Sequence, residues 1–92
     1  MKWAGIIRVY IGKNMRNALN HQLESTLKDL DVANKRARVK LYDSLQGDEL
    51  SIHLTWEQGE PKCWGSEIGI SLTNKLNEFG LVSHSIWIER RQ

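Results

Sequence analysis

The sequence predicts an α+β fold in which four strands and two helices follow one another in the order β-α-β-β-α-β. Three observations lead to this class. Four segments are β-branched or alternate apolar with polar residues, two others repeat apolar residues every three or four positions, and turn-forming residues separate them. Ninety-two residues are enough for one core only, so we place a single domain over residues 1–92.

The N-terminal third predicts a strand followed by a helix. Residues 3–11 are rich in isoleucine and valine, which favour a largely buried strand, and Gly12 closes it. From Met15 onward the apolar residues recur at helical spacing, so we expect a helix capped by Asn14 and stopped at Asn34. Its apolar stripe consists of Met15, Leu19, Leu23, Leu27 and Leu30.

The middle of the chain predicts an antiparallel hairpin. Residues 36–42 alternate strictly, residues 43–48 are typical of a turn, and residues 50–56 alternate again. Because alternate side chains point to opposite sides of a strand, each of these strands has one side that faces the core and one that faces solvent.

A second helix and a last strand complete the pattern. Ser66 is expected to cap the helix and Gly80 to end it, and residues 82–89 then alternate as a strand. The apolar stripe of this helix consists of Ile68, Leu72, Leu76 and Phe79.

Two β-α-β crossovers joined by a hairpin resemble the ferredoxin-like α/β sandwich over the whole chain. The resemblance implies a four-stranded antiparallel sheet with both helices on one face. The first and third strands would be central, the fourth would flank the first, and the second would flank the third. Because this fold carries enzymes, RNA binders and inhibitors alike, function has to be sought on the uncovered side of the sheet.

Composition excludes several classes of protein. One cysteine rules out a disulfide scaffold and a zinc finger, and no apolar run reaches the roughly 20 residues that a membrane span needs. The first residues lack the apolar region of a signal peptide. We therefore expect a cytoplasmic protein that does not associate with membranes.

The net charge of +2 hides an asymmetry. Residues 1–40 carry nine basic and three acidic side chains, whereas residues 41–92 carry four basic and eight acidic ones. This distribution favours a basic face that meets an acidic partner, unless the two halves neutralise each other in the fold.

The uncovered side of the predicted sheet combines aromatic and basic side chains. Aromatic rings beside arginine and lysine form a platform on which unpaired bases stack while phosphates meet the cations. We expect Tyr10 and Trp87 to be near neighbours there, with His53 beside them. The candidate nucleic-acid-binding residues are Arg8, Tyr10, Arg36, Arg38, Lys40, Tyr42, His53 and Trp87.

The segment Val9-Tyr10-Ile11-Gly12-Lys13-Asn14 resembles a ribonucleoprotein motif of RNA-recognition-motif domains. In that motif an aromatic residue follows an aliphatic one on a central strand and stacks on a base. The resemblance covers six residues and implies this role for Tyr10. The third strand offers His53 where the partner motif has aromatic residues. The favoured partner is single-stranded nucleic acid, RNA in preference to DNA.

A protein partner is the alternative. Four tryptophans in 92 residues are many, and tryptophan is enriched at binding hot spots. Lys62 and Trp64, in the Gly/Pro-containing loop, and Trp87 would carry such a site. The protein would then be an inhibitor or regulator, for example a phage-type inhibitor of a host enzyme or defence complex. A homodimer that pairs two sheets face to face is also left open.

An enzyme is not expected. Cys63 and the three histidines lack the spacing of metal ligands, and nothing places a third group beside a Cys63–histidine pair. The phosphate-binding glycine loop that acylphosphatases carry on this fold has no counterpart. We expect no metal, no cofactor and no catalytic residue.

Overall fold

The computed structural model describes residues 2–33 and 37–90. It contains a four-stranded antiparallel sheet and two helices, which confirms the predicted α+β class. In chain order the elements are β1 (Trp3–Ile11), α1 (Arg16–Ala33), β2 (Ala37–Asp43), β3 (Glu49–Trp56), α2 (Glu67–Leu76), a short 3-10 turn (Asn77–Phe79) and β4 (Gly80–Ile88).

The strands lie in the order β2-β3-β1-β4, so β1 and β3 are central, as expected. All three neighbouring pairs are antiparallel. Ile7 of β1 lies opposite Ile52 of β3 on one side and His84 of β4 on the other. This register decides which side chains share a row across the sheet.

The core lies between one side of the sheet and the two helices. Alternate residues of β1 and β3 are buried there, and both helices contribute to the same cluster, so both cover one face of the sheet. Burial of these side chains is the main force that holds the layers together. The cluster consists of Trp3, Ile7, Val9, Leu19, Leu23, Leu50, Ile52, Leu54, Trp56, Leu72, Leu76 and Phe79.

The start of α1 differs from the prediction. Asn14 has a φ of 65°, in the left-handed region, and therefore does not have the extended backbone of an N-cap residue. The carbonyl of Met15 accepts from the amide of Leu19 at 2.9 Å, so the helix begins one residue later than expected. Asparagine tolerates the left-handed conformation better than most residues, and it turns the chain from β1 into the helix. The stop expected at Asn34 lies outside the described residues.

The start of α2 agrees with the prediction. The Ser66 hydroxyl accepts from the amide of Gly69 at 3.0 Å, as an N-cap side chain does. At the other end Phe79 belongs to the 3-10 turn rather than to the helix, and β4 starts directly at Gly80. The last strand therefore begins two residues earlier than the alternation alone predicts.

Among the described helices, none has both the length and the apolarity needed to cross a membrane.

Candidate functional site

One side of the sheet faces away from both helices, and we call it the open face. Tyr10, Tyr42 and Trp87 project from it with about half of each residue exposed, at 53%, 49% and 59%. The side chains of the open face are Ala4, Ile6, Arg8 and Tyr10 on β1, Arg38, Lys40 and Tyr42 on β2, Glu49, Ser51, His53 and Thr55 on β3, and Leu81, Ser83, Ser85 and Trp87 on β4.

The prediction that Tyr10 and Trp87 are near neighbours is wrong. Trp87 lies opposite Ala4, whereas Tyr10 lies opposite Leu81, so the two rows are six positions apart along β1. At about 3.3 Å per residue this separation is about 20 Å. His53 lies in a third row, opposite Ile6. The reason is the antiparallel register, because the end of β4 meets the start of β1.

A different aromatic pair forms on the open face. The rings of Tyr42 and His53 lie with their centroids 4.6 Å apart and tilted by 51°. His53 is positioned further by a 2.9 Å hydrogen bond between its Nε2 and the Ser51 hydroxyl. Lys40 lies opposite His53, so the ring pair lies beside the basic edge of the sheet.

The basic side chains of the open face differ in their surroundings. Arg8 Nη2 lies 2.9 Å from Glu49 Oε1, so this guanidinium is already bound to a carboxylate. Arg38 and Lys40 are exposed, and within the described part of the chain neither takes part in an ion pair. They are therefore the cations best placed to meet a phosphate. Arg36 lies outside the described residues.

The residues of the alternative protein-binding site lie on two sides of the sheet. Trp87 belongs to the open face, where its Nε1 donates to the Ser85 hydroxyl at 2.9 Å. Trp64 and Lys62 lie on the helix side, in the loop before α2, with the Lys62 ammonium 5.0 Å from the centre of the Trp64 ring. One flat partner surface therefore cannot contact Trp64 and Trp87 together.

Histidine and cysteine side chains are dispersed. Cys63 is an exposed free thiol, His53 is on the open face, and His84 points toward the helices. Among the side chains that the structure describes, those of residues 2–28 and 37–90, no three from His, Cys, Asp or Glu converge as metal ligands would.

The imidazole of His84 is packed against glycines. A Cβ atom at Gly65 or Gly69 would come within 2.7 or 2.8 Å of His84 Cε1, so alanine at either position would force the imidazole to shift. His84 Nε2 is buried and has no hydrogen-bond partner among the described residues. This burial lowers the pKa of His84 below its usual value of 6.5.

We expect His84 to make folding sensitive to mild acid. Well above pH 6.5 the histidine is neutral in both the folded and the unfolded chain. As the pH falls below 6.5, the unfolded chain takes up a proton that the folded chain resists, so the free energy of unfolding decreases until the folded pKa is passed. Urea titrations of the wild type and of His84→Leu at several pH values measure this. The free energy of unfolding of the wild type minus that of His84→Leu should decrease toward acid. A difference that does not change with pH would contradict this expectation.

Neither a protein-family model nor a curated protein matches the sequence. Among solved structures the chain is similar to the structure of Rv0793 from Mycobacterium tuberculosis, with a TM-score of 0.72 and 19% sequence identity. The alignment covers 100% of this chain and 98% of that one. At this identity the similarity concerns the fold alone, and it supports the α+β class.

Proposed function

We propose that this chain is a small non-enzymatic binding protein whose open face binds single-stranded nucleic acid, RNA in preference to DNA. The observation that carries the proposal is the contact between the Tyr42 and His53 rings beside the exposed cations of β2. An exposed aromatic ring offers a surface on which any base can stack, while lysine and arginine bind the phosphates. Arg38 and Lys40 would make these phosphate contacts.

The same geometry gives Tyr10 a secondary role in the proposal. Two strand spacings, or about 10 Å, separate β1 from β2, so Tyr10 would meet a neighbouring nucleotide rather than the one stacked on Tyr42. Arg8 would have to release Glu49 before it could bind a phosphate, which makes it a weaker contact than Lys40. Trp87 lies at the opposite corner and would not contact the same base.

The assignment of the fold to the ferredoxin-like class is part of the proposal. It is supported by the element order β-α-β-β-α-β, by the strand order β2-β3-β1-β4 and by the placement of both helices on one side. In this class the helix-free side of the sheet is the surface left for a ligand.

Binding can be tested by the fluorescence anisotropy of labelled oligonucleotides of about eight nucleotides, a length that falls within the usual site size. We expect Tyr42→Ala to weaken RNA binding by about 1–3 kcal/mol, because a stacked base loses its platform. Lys40→Gln should flatten the dependence of log K on log salt by about 0.7, since one phosphate contact on a single strand is lost. Trp87→Ala is the matched comparison and should weaken binding much less than Tyr42→Ala does, because Trp87 lies at the opposite corner of the open face.

Three outcomes are informative against the proposal. No binding of either RNA or DNA at low salt would overturn it. Equal losses for Tyr42→Ala and Trp87→Ala would show that binding is not centred on the Tyr42–His53 pair. A dimer detected by light scattering, together with loss of RNA binding on dimerisation, would assign the open face to self-association instead.

A further inference from the structure

A half-open cavity of about 1020 Å³ lies on the helix side of the sheet, away from the open face. It is bounded by the start of β1, the end of β3, the loop of residues 57–66 and the first turn of α2. Three of the four tryptophans, Trp3, Trp56 and Trp64, line it. The volume is that of a site for a small organic molecule.

The polar lining of this cavity is mainly acidic. Glu57, Glu60 and Glu67 contribute carboxylates, and Lys62 is the one cation among the described lining residues. Glu57 lies near Lys2, at 3.8 Å, whereas Glu60 and Glu67 form no ion pair within the described ranges. The lining therefore favours a positively charged ligand.

The aromatic lining already binds a cation. The Lys62 ammonium lies 5.0 Å from the centre of the Trp64 ring, within the range of a cation–π contact. Both residues belong to an exposed part of the loop, and Trp64 is 44% exposed. The Trp64 ring is therefore in contact with a cation that belongs to the same loop.

The inner wall offers a hydrogen-bond donor. Trp3 is 7% exposed, and its Nε1 is buried with no acceptor among the residues that the structure describes. Gly59 also lines the cavity, and a Cβ atom added there would lie 3.8 Å from Nε1. A buried N–H group without a partner costs free energy, so a ligand that brings an oxygen there is favoured.

We propose that this cavity binds a small organic ammonium ion that also carries a carbonyl oxygen. The ammonium group displaces Lys62 from the Trp64 ring and is balanced by Glu60 and Glu67. The carbonyl oxygen accepts from Trp3 Nε1. This site is on the other side of the sheet from the open face, so it does not depend on nucleic-acid binding.

Three probes separate the contributions of charge and of the oxygen acceptor. Acetylcholine has both features, tetramethylammonium has only the charge, and the neutral carbon isostere of acetylcholine has only the ester. Isothermal titration should give the tightest binding for acetylcholine and about tenfold weaker binding for the neutral isostere, which loses the cation–π contact. In NMR spectra the indole N–H signal of Trp3 should shift with acetylcholine and much less with tetramethylammonium.

Variants test the residues. Trp64→Leu should weaken acetylcholine binding by about tenfold, and Glu60→Gln should weaken it by less. Lys62→Met should strengthen it several-fold, because the competing ammonium is removed while most of the side-chain length is kept. Lys75→Met removes a charge from the last turn of α2, away from the cavity, and should leave binding unchanged.

The outcomes that overturn the proposal are equally specific. Absence of saturable acetylcholine binding, equal affinity for the neutral isostere, or weaker binding by Lys62→Met would each contradict it. Near-UV circular dichroism of each variant shows that the fold is kept. RNA binding by the same samples is measured separately, so failure of one site is distinguishable from failure of the other.

Discussion

Replacing Gly80 with alanine is expected to destabilise the protein by about 3 kcal/mol, near the upper end of ordinary single substitutions. Gly80 is the first residue of β4 and lies opposite Ile11 of β1. An added Cβ would collide with the carbonyl oxygen of Tyr10 and lie 3.0 Å from the amide nitrogen of Gly12. Both neighbours are backbone, so neither can move aside as a flexible side chain would.

The backbone at this point is also held by a hydrogen bond. The amide of Gly12 donates to the carbonyl of Phe79 at 2.8 Å, which fixes the chain on both sides of the contact. Urea denaturation of Gly80→Ala measures the loss of stability. Leu81→Ala is the matched control, because Leu81 is the next residue and is 79% exposed, and it should change stability by about 0.5 kcal/mol or less. Equal stability of Gly80→Ala and the wild type would contradict the close approach of β4 to β1.

Replacing Trp56 with alanine is expected to cost about 3–5 kcal/mol, the usual range for removal of a buried tryptophan. Trp56 ends β3 and lies opposite Trp3, with the two rings stacked 4.3 Å apart at 12°. Both residues are at least nine-tenths buried against the helix layer. The substitution leaves a void and removes the stacking partner of Trp3.

Trp87→Ala is the control for this prediction. Trp87 lies at the same end of the sheet as Trp3, opposite Ala4, but on the open face. Its removal should change the free energy of unfolding by about 0.5 kcal/mol or less, since a largely exposed side chain makes few buried contacts that unfolding could remove. Circular dichroism of the stacked indoles provides a second measurement, because the exciton signal should vanish in Trp56→Ala and persist in Trp87→Ala. Similar stability losses for the two variants would contradict the different burial of these tryptophans.

Much of the fold follows from local patterns. The alternation in β3 puts Leu50, Ile52 and Leu54 on the buried side, and they are buried. Ser66 caps α2 as its type and position predict. These features depend on residues close together in the chain, so a single sequence contains the information. The sequence predicted Gly80 as the residue that ends a helix. Glycine is required there because the backbone of β1, far away in sequence, leaves no space for a Cβ atom.

The candidate sites could be predicted from the sequence only in part. Alternation placed Tyr42, His53 and Trp87 on the uncovered side of the sheet, and all three lie there. It could not say which of them touch, because contact between strands depends on register. The hairpin register puts Lys40 opposite His53 and Tyr42 opposite Ser51, so the Tyr42–His53 contact is diagonal and could have been found only from the register together with the reach of the two rings.

The tryptophan-lined cavity was not foreseen at all. Trp3 is far in sequence from Trp56 and Trp64, which lie eight residues apart. Lys62 and Trp64 were assigned to a protein contact, with no indication that they border a cavity. A cavity is the space that packing leaves unfilled, and periodicity along the chain contains no information about that space.

By itself the sequence determined the class of the fold, the identity of its six elements and the side of the sheet to which most side chains belong. These follow from the spacing of apolar residues, which repeats every two residues in a strand and every three to four in a helix and can be recognised within a short segment. The tertiary structure alone decided that Tyr10 and Trp87 lie apart, that Tyr42 contacts His53, and that three tryptophans line the same half-open cavity. Such neighbourhoods depend on how strands align and how layers close, which only the assembled chain defines.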